Sequence, residues 1–392
     1  MPRIKRSASA GSPHVALLVE TSLASGRDIL IGIARHVSEH EPWLLFHEAR
    51  GLEERLPQWL DEWKGHGIIA RVQSPAMARA LQRTHLPVVD VLGIVPRAGF
   101  PIVHVDDAAI GDMAANHLLD RGLRHFAFYG LAKENWSAAR EQAFCATLKR
   151  NGCRSAVRRE KRHALDDTTW ERHQEALKEW ITSLPKPVGI MVCSDQRGSL
   201  VLDACRRAAT IVPDEVAIIG VDNDEPLCSV CNPPLTSVWP NHSLVGYEAA
   251  ALLQKLMRGD AAVPARTNTQ PKSIVTRQST DTLAVKDEVV ARALRVIRER
   301  ACHRIRVDDV AAVVGVSRSV LQRRFRASLK CSINGKLVTE RIETAQRLLR
   351  ETHLTLPDIA ERSGFQHAEY MAYVFRMHTG TSPAAHRRRT TP

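Results

Sequence analysis

Short apolar runs alternate with helical segments across residues 15–277 of the chain. The runs that read as β-strands are VALLVE (15–20), GIIAR (67–71), VVDVLG (88–93), HFAFYG (125–130), VGIMVCS (188–194) and VAIIGVD (216–222). Between them, DILIGIARHVSEH places Ile29, Ile33 and Val37 on one helical face, and AAIGDMAANHLLDRG keeps the same period. Strands that alternate with helices predict βαβ units and a parallel sheet covered on both faces.

The pattern changes after SIVTRQST (273–280), where the last strand is predicted. From there to the end the apolar period is helical, which places a domain boundary at about residues 280–286. We therefore expect a basic leader at 1–13, an α/β domain at 14–281 and an all-α domain at 286–392.

The charge of the chain is concentrated in the predicted all-α domain. Residues 286–392 hold 21 Lys and Arg against 11 Asp and Glu, a net of +10, whereas the rest of the chain has a net of only +2. Such an asymmetry is typical of a body joined to a nucleic-acid-binding domain. A length of 392 residues with 44% apolar residues is sufficient for two or three packed domains.

Several classes of protein are disfavoured by what the sequence lacks. It contains no apolar run long enough to cross a membrane and no signal peptide, so we expect a cytoplasmic protein. Of its 8 cysteines, Cys228 and Cys231 alone form a CxxC, without a second pair for zinc. GxGxxG after the first strand, GxxxxGK[ST] and GxSxG are absent, which disfavours an enzyme, and we expect no cofactor.

The stretch VDDVAAVVGVSRSVLQRRF, which begins at Val307, reads as two short helices around a turn at Gly315. Ser317 suits the N-cap of the second helix. We predict that Val310, Ala311, Val314, Val320, Leu321 and Phe325 point inward. The side chains left outside are those of Arg318, Ser319, Gln322, Arg323 and Arg326. Arginine and glutamine at the start of such a helix can contact guanine and adenine in the major groove.

A second unit, LPDIAERSGFQHAEYMAYVFRMHTGTSP, begins at Leu356. We predict that Ile359, Ala360, Phe365, Met371, Val374 and Phe375 lie inside. The exposed candidates for DNA contact are His367, Glu369, Ala372, Tyr373 and Arg376. The helix INGKLVTERIETAQRLLRET connects the two units and would hold them about one turn of a duplex apart on one face. The alternative is a packed helical bundle with a charged rim.

Two such units with this connector, ending in FRMHTGTSPAAHRR, resemble the AraC-type DNA-binding domain. The resemblance implies that both second helices meet promoter DNA. Two residues depart from the family pattern: His386 stands where an aromatic Tyr is frequent, and Glu369 lies near the start of the second reading helix. A carboxylate can accept from cytosine N4 but repels phosphate, so the first unit is expected to carry more of the base contacts.

Polar residues follow several predicted strands, at the edge where parallel sheets bind ligands. Asp222 and Asn223 follow VAIIGV, Ser194 follows VGIMVC, and LAKENWSAAREQAF follows HFAFYG. Asp222 could accept from two vicinal hydroxyls, Asn223 and Arg140 could donate, and Trp136 could stack on a pyranose ring. On spacing alone, Asp222 could equally cap a loop, Arg140 could be a surface residue and Trp136 a core residue.

GVDN at a strand end, with an arginine in the helix after HFAFYG, resembles the type I periplasmic-binding-protein fold of Lac-repressor-type regulators. The resemblance implies a two-lobed sugar sensor in which Asp222 and Arg140 contact sugar hydroxyls. Ser194 stands where relatives often have Asn, and the first-strand contact varies between Glu20 and Arg27. The implied lobes are 14–123 with 238–260, and 124–237 with 261–281. The cleft lies between them.

The order of the two parts, sensor first and AraC-type domain last, resembles sugar-responsive activators of xylose catabolism. This implies a dimer that binds promoter DNA, takes up a small sugar with xylose as first candidate, and contacts RNA polymerase, with no membrane partner. A regulator that responds to another pentose or hexose is one alternative. A DNA-binding protein whose α/β body only dimerises is another, and it predicts an empty cleft.

Overall fold

The computed structural model divides the chain into two compact units, Met1–Thr282 and Leu283–Pro392. The residues that the structure describes are 12–48, 57–95, 97–161, 167–260, 262–281, 287–329, 331–352 and 354–390. The predicted leader, apart from its last two residues, lies outside these ranges. Each unit is described by itself below.

The strands of the first unit include most of the apolar runs seen in the sequence. They are β1 His14–Leu18, β2 Leu44–His47, β3 Gly67–Ala70, β4 Val88–Asp90, β5 Ile102–Val105, β6 His125–Leu131, β7 Ser155–Glu160, β8 Val188–Val192, β9 Val216–Val221, β10 Thr236–Trp239, β11 Arg266–Thr269 and β12 Ser273–Val275. Every residue of the central strands β3, β8 and β9 is buried, as expected for strands covered on both faces.

Helices connect these strands in the βαβ manner that the sequence predicts. They are α1 Ala24–Glu39, α2 Pro75–Arg83, α3 Asp107–Asp120, α4 Asn135–Arg150, α5 Asp167–Ser183, α6 Asp195–Arg207, α7 Glu225–Val230 and α8 His242–Met257. Ile29 and Ile33 of α1 are fully buried as predicted, whereas Val37 is only half-buried.

Two six-stranded sheets give the unit its two lobes. In the first lobe the order is β2-β1-β3-β4-β5-β11, and every pairing is parallel. In the second it is β7-β6-β8-β9-β10-β12, with an antiparallel pairing of β10 and β12. The predicted two-lobed periplasmic-binding-protein-like fold is confirmed.

The assignment of segments to the lobes is wrong in two places. Helix α3, predicted in the first lobe, packs against α4 and the strands of the second, because the chain crosses directly after β5. Strand β11, predicted in the second lobe, pairs with β5 of the first. The chain therefore crosses between lobes after β5, after β10 and again after β11.

Helices α1 and α8 of the first lobe cross at very short range, because each contributes a glycine. A Cβ atom added at Gly32 would lie 1.8 Å from the carbonyl oxygen of Ser243. One added at Gly246 would lie 2.0 Å from the carbonyl oxygen of Ile29. These distances are far inside van der Waals contact, so the crossing requires glycine at both positions.

His117 of α3 ties the helix to the end of the unit. Its Nδ1 lies 3.1 Å from Nη1 of Arg121, and its Nε2 lies 2.8 Å from Oγ1 of Thr280. Arginine only donates hydrogen bonds, so Nδ1 is the acceptor. Nε2 therefore carries the ring proton and donates a hydrogen bond to Oγ1 of Thr280. Burial, followed by the charge of Arg121, lowers the pKa of His117 to about 3.

The lowered pKa of His117 predicts a pH dependence of stability. The unfolded chain takes up this proton near pH 6.5 and the folded chain does not, so the contribution is complete above pH 6.5 and is lost as the pH falls toward 3. We expect the free energy of unfolding to lose at most about 1.4 kcal/mol per pH unit from this group. Urea denaturation between pH 7.5 and 4.5 measures the slope. A His117→Gln variant should flatten it, and an unchanged slope in that variant would contradict the assignment.

The regular elements in the described part of the second compact unit, Leu283–Pro392, are all helices, as the apolar period predicts. Its α-helices are α9 Glu288–Arg300, α10 Val307–Val314, α11 Arg318–Leu329, α12 Ile333–Glu351, α13 Leu356–Arg362, α14 Ala368–Thr379 and α15 Pro383–Thr390. The pairs α10–α11 and α13–α14 form the two predicted helix-turn-helix units, and α12 is the connector. The predicted all-α domain with two helix-turn-helix motifs is confirmed.

Each helix-turn-helix unit has its own apolar core. Val310, Ala311, Val314, Leu321 and Phe325 are buried with residues of α9 and α12, whereas Val320 is only half-buried and was wrongly predicted inside. In the second helix-turn-helix unit, every residue predicted to lie inside is buried: Ile359, Ala360, Phe365, Met371, Val374 and Phe375.

Candidate functional site

A cavity of about 250 Å³ lies between the two lobes of the first unit, at the carboxyl ends of their strands. Asp222, Arg140, Ser194 and Trp136 of the second lobe all line it. Four of the five residues proposed as ligand contacts are therefore brought together, from three separate segments of the chain.

Asp222 follows β9 and is held in a backbone conformation that non-glycine residues rarely adopt, with φ of 109°. Its N–H donates to the carbonyl oxygen of Val238, 3.1 Å away. Its carboxylate Oδ1 lies 3.4 Å from Nε2 of His242 in the first lobe. Burial lowers the pKa of His242, so the imidazole is neutral at pH 7 and can donate one N–H to this carboxylate.

The buried carboxyl group of Asp195 holds the loop that carries Asp222. Its Oδ2 accepts from the N–H of Asp224 at 2.9 Å, and its Oδ1 lies 2.7 Å from Oγ of Ser237. That Oγ in turn accepts from the N–H of Asn223 at 3.0 Å. Burial, followed by the charge of Asp222, raises the pKa of Asp195 to about 8.

Arg140 is 3% exposed, so the sequence alternative of a surface arginine is not what the structure shows. Its Nε donates to Oδ1 of Asp107 at 2.9 Å, and its Nη1 donates to the carbonyl oxygen of Cys193 at 2.6 Å. Burial alone would lower its pKa, but the charges of Asp107 and then Asp222 outweigh burial and raise it. The guanidinium is therefore a permanent, fixed donor at the cavity wall.

Trp136 and Ser194 complete the second-lobe wall. The indole ring of Trp136 lies against the guanidinium of Arg140, with 4.9 Å from Cζ to the ring centroid, and its Nε1 donates to Glu134 at 3.0 Å. The stack orients the indole at the cavity wall. Ser194 is buried and immediately precedes helix α6.

Three other candidates lie outside the cavity lining. The side-chain oxygen of Asn223 accepts from Nη2 of Arg277 at 2.9 Å, and Asn223 is not among the residues that line the cavity. Glu20 is buried in an ion pair with Arg71. Arg27 donates to the carbonyl oxygen of Thr21 at 2.8 Å.

The first lobe supplies lining residues that the sequence analysis missed: Arg71, His104 and His242. Arg71 directly follows β3, so the rule applied to the other strand ends could have found it. His104 lies inside β5, with Nε2 3.4 Å from Oδ2 of Asp107, and no pattern in the sequence distinguishes it from a core residue. His242 begins α8, which the sequence analysis placed in the first lobe without a role.

Polar contacts cross the cleft at its edges. Nδ2 of Asn135 at the start of α4 donates to the carbonyl oxygen of Gly93 at 2.7 Å. Nη2 of Arg27 lies 3.6 Å from Oδ2 of Asp224. Together with the His242–Asp222 contact, these pairs join the two lobes at three places.

The second unit presents most of the residues predicted to meet DNA. On α11, Arg318, Ser319, Arg323 and Arg326 are exposed and Gln322 is half-buried. Arg318 forms an exposed ion pair with Asp308, at 3.0 Å from Nη1 to Oδ2.

The second reading helix, α14, has an exposed face of different composition. His367, Glu369, Tyr373 and Arg376 are exposed, and Ala372 is half-buried. His386, which replaces the frequent Tyr of the AraC pattern, packs edge-on against Phe375 at 5.4 Å between ring centroids. An aromatic contact with the core is therefore kept despite the substitution.

Family models and whole-chain comparisons agree with this geometry. Residues 14–105 match the XylR N-terminal domain, residues 115–280 a periplasmic binding protein-like domain, and residues 310–389 a helix-turn-helix domain. The xylose operon regulatory protein of Haemophilus influenzae is 30% identical over 94% of this chain and 96% of its own length. The chain belongs to the family of xylose operon regulatory proteins.

Other members of the xylose operon regulatory proteins match over nearly the whole chain. The Escherichia coli K12 protein is 30% identical over 95% of this chain and 96% of its own length. A solved structure of a xylose-binding transcription activator superposes with a TM-score of 0.81 at 28% identity, covering 97% of this chain and 99% of the other. The chain is thus a transcription regulator with an N-terminal sensor and a C-terminal DNA-binding domain.

The relatives are transcription regulators rather than enzymes. Burial raises the pKa of the Cys231 thiol to about 11 and raises that of Cys228 further, so both thiols of the CxxC stay protonated at pH 7. Among the residues that the structure describes, none of the helices combines the length and the apolar character that a membrane crossing requires.

Proposed function

We propose that the cleft binds a pentose, xylose first, and that binding controls how the second unit occupies promoter DNA. The observation that carries this proposal is the convergence of Asp222 and Arg140 on one cavity between two lobes. The names of the relatives, which include xylose operon regulatory proteins and a xylose-binding activator, support the choice of sugar.

Asp222 and Arg140 supply complementary halves of polyol recognition. The carboxylate accepts from two neighbouring hydroxyl groups, and the guanidinium donates to ring or hydroxyl oxygens. Because Nε and Nη1 of Arg140 are held by Asp107 and Cys193, the group is positioned before any ligand arrives. Trp136 offers an apolar ring to the C–H face of the sugar, and Ser194 one further hydroxyl.

The coupling to DNA is a shift between arrangements of the two lobes. A ligand held by Asp222 on one lobe and by Arg71 or His104 on the other favours the closed arrangement, to which the cross-cleft contacts already contribute. Such a shift is limited by the ligand's difference in affinity for the two states, which is typically about 1–3 kcal/mol.

In this proposal residues 14–281 form the sensor and residues 286–392 the DNA-binding domain. In the first helix-turn-helix unit, the residues that contact bases or phosphates are Arg318, Ser319, Gln322, Arg323 and Arg326. In the second helix-turn-helix unit, they are His367, Glu369, Ala372, Tyr373 and Arg376. A homodimer would present its helix-turn-helix units to paired half-sites, contact RNA polymerase and activate transcription in the cytoplasm.

Isothermal titration of the full chain with D-xylose, L-arabinose, D-ribose and D-glucose tests the sensor. We expect one pentose to bind with a dissociation constant at least tenfold lower than that of glucose. Selection of duplexes from a random-sequence pool, with and without that pentose, then tests the coupling. Absence of binding to every sugar, or an identical selected fraction in both conditions, would favour a body that only dimerises.

A further inference from the structure

The two reading helices can be aligned residue by residue through their buried positions. Leu321 of α11 and Met371 of α14 are both fully buried, and so are Phe325 and Phe375. The turn before each helix contains a left-handed glycine, Gly315 with φ of 79° and Gly364 with φ of 82°, and the second turn is one residue longer. Within the two helices, positions 50 residues apart therefore present corresponding faces.

At corresponding positions, of which Gln322, Ala368 and Ala372 are half-buried and the others exposed, the two helices carry different chemistry. The first helix has Arg318, Ser319, Gln322, Arg323 and Arg326, all of which can donate hydrogen bonds. The matching residues of the second are Ala368, Glu369, Ala372, Tyr373 and Arg376. Only the last position keeps an arginine. A carboxylate, two methyl groups and a phenol occupy the other four positions, and of these only the phenol hydroxyl can still donate a hydrogen bond.

Of the exposed large apolar side chains in the described part of residues 287–390, all but Val313 lie on the second reading helix, α14. Tyr370, Tyr373 and Met377 are 57%, 64% and 70% exposed, and all three belong to α14. Large exposed apolar groups on one short element mark a contact surface rather than ordinary solvent exposure. Tyr370 is partly engaged by Phe365, at 6.1 Å between ring centroids, which leaves Tyr373 and Met377 as the freer members.

The base edges of the major groove distinguish these two surfaces. Guanine presents the N7 and O6 acceptors that arginine reaches, and adenine presents an N7 acceptor and an N6 donor that glutamine can pair with, whereas cytosine presents an N4 donor and thymine a 5-methyl group. Glu369 can accept from cytosine N4, which no arginine can do. Ala372 and Tyr373 offer apolar surface to the thymine methyl. Arg376, at the arginine position shared with the first helix, suits a phosphate.

We propose that the two helix-turn-helix units read different classes of base. The first reads purines through Arg318, Gln322 and Arg323. The second reads pyrimidines, cytosine through Glu369 and thymine methyl groups through Ala372 and Tyr373. This rests on the DNA-binding function and adds the identity of the bases. Each protomer's binding site is therefore divided into a purine-read and a pyrimidine-read segment on the contacted strand.

Thymine-to-deoxyuridine replacement tests the proposal, because it removes only the 5-methyl group. The full-length protein, with its sugar present, is used to select duplexes from a random pool, and each thymine of a selected duplex is then replaced singly. We expect about a fourfold loss of affinity at thymines within one segment of the footprint and no loss in the other. The variant Tyr373→Ala should reduce that loss, because only the Ala372 contact remains, whereas Arg323→Ala should weaken binding but leave the loss unchanged.

A second variant checks the cytosine contact independently. Glu369→Gln should change the preferred base at one position from cytosine to adenine, since an amide can pair with both N6 and N7 of adenine. Two results would overturn the assignment while leaving DNA binding intact. One is that deoxyuridine replacement lowers the affinity at no position of the footprint, and the other is that the loss of affinity is undiminished in Tyr373→Ala. Failure to select any duplex overturns the DNA-binding function itself, and the assignment with it.

Discussion

Replacing Asp222 by alanine should reduce the affinity for sugar by roughly 100-fold or more. A charged acceptor that binds two hydroxyl groups contributes about 1.5–3 kcal/mol for each, and its removal leaves the hydroxyls unpaired in the cleft. Isothermal titration against the sugar that binds the parent chain measures the loss. Because Asp222 holds a positive φ of 109°, the thermal unfolding of the unliganded variant must be recorded beside it.

Two matched variants make the Asp222 result specific. Asp222→Asn keeps the shape and one acceptor, so its affinity should fall between those of the parent and the alanine variant. Asn223→Ala alters the next residue, whose side chain faces Arg277 instead of the cavity, so its affinity should stay within about threefold of the parent. An Asp222→Ala chain that binds sugar as well as the parent, or a larger loss in Asn223→Ala, would overturn this account of the cleft.

Gly246→Ala should lower the free energy of unfolding of the first unit by about 3 kcal/mol. In an open helix the same substitution is stabilising, by as much as about 1 kcal/mol. Here the new Cβ would meet the Ile29 carbonyl oxygen at 2.0 Å, and only a separation of α1 from α8 can relieve the overlap. The sign of the effect, measured by chemical denaturation, is the informative quantity.

Gly335→Ala in α12 is the control for Gly246→Ala. Its added Cβ would meet only Oγ of Ser332, at 3.0 Å and at the end of a rotatable side chain. We expect unchanged or slightly raised stability for this variant. A stable Gly246→Ala chain would mean that the two helices can be packed further apart at little cost.

Sequence patterns identified most of the buried strands, but they missed β2 and β5, which are apolar, and three strands whose residues do not form an apolar run. Strand β7 reads SAVRRE and lies at an edge of its sheet, where none of its residues is fully buried. Strand β11 reads RTNT and is likewise an edge strand. Strand β10 reads TSVW, and its buried Thr236 and Ser237 are satisfied by side-chain hydrogen bonds that no local pattern reveals. An apolar run is therefore not required for a strand, as β7, β10 and β11 show, and it does not guarantee burial, since the apolar strand β2 is largely exposed.

The candidate site was predictable where it follows strand ends and unpredictable where it depends on side-chain direction. Asp222 and Ser194 come directly after strands, and a parallel sheet brings such positions together. Asn223 also follows a strand, but its neighbour Arg277, distant in sequence, turns its amide elsewhere. The misplacement of α3 and β11 has a similar origin, since the point where a chain changes lobe depends on long-range packing.

The crossing from β5 to α3 has a consequence for how the sensor works. His104 lies on the last part of that strand, Asp107 begins the helix, and Asp107 holds Arg140 in the cavity wall. The segment that crosses between the lobes thus carries the carboxylate that fixes Arg140. Under the proposed function, a sugar bound to Arg140 would be one side chain, that of Asp107, away from this crossing.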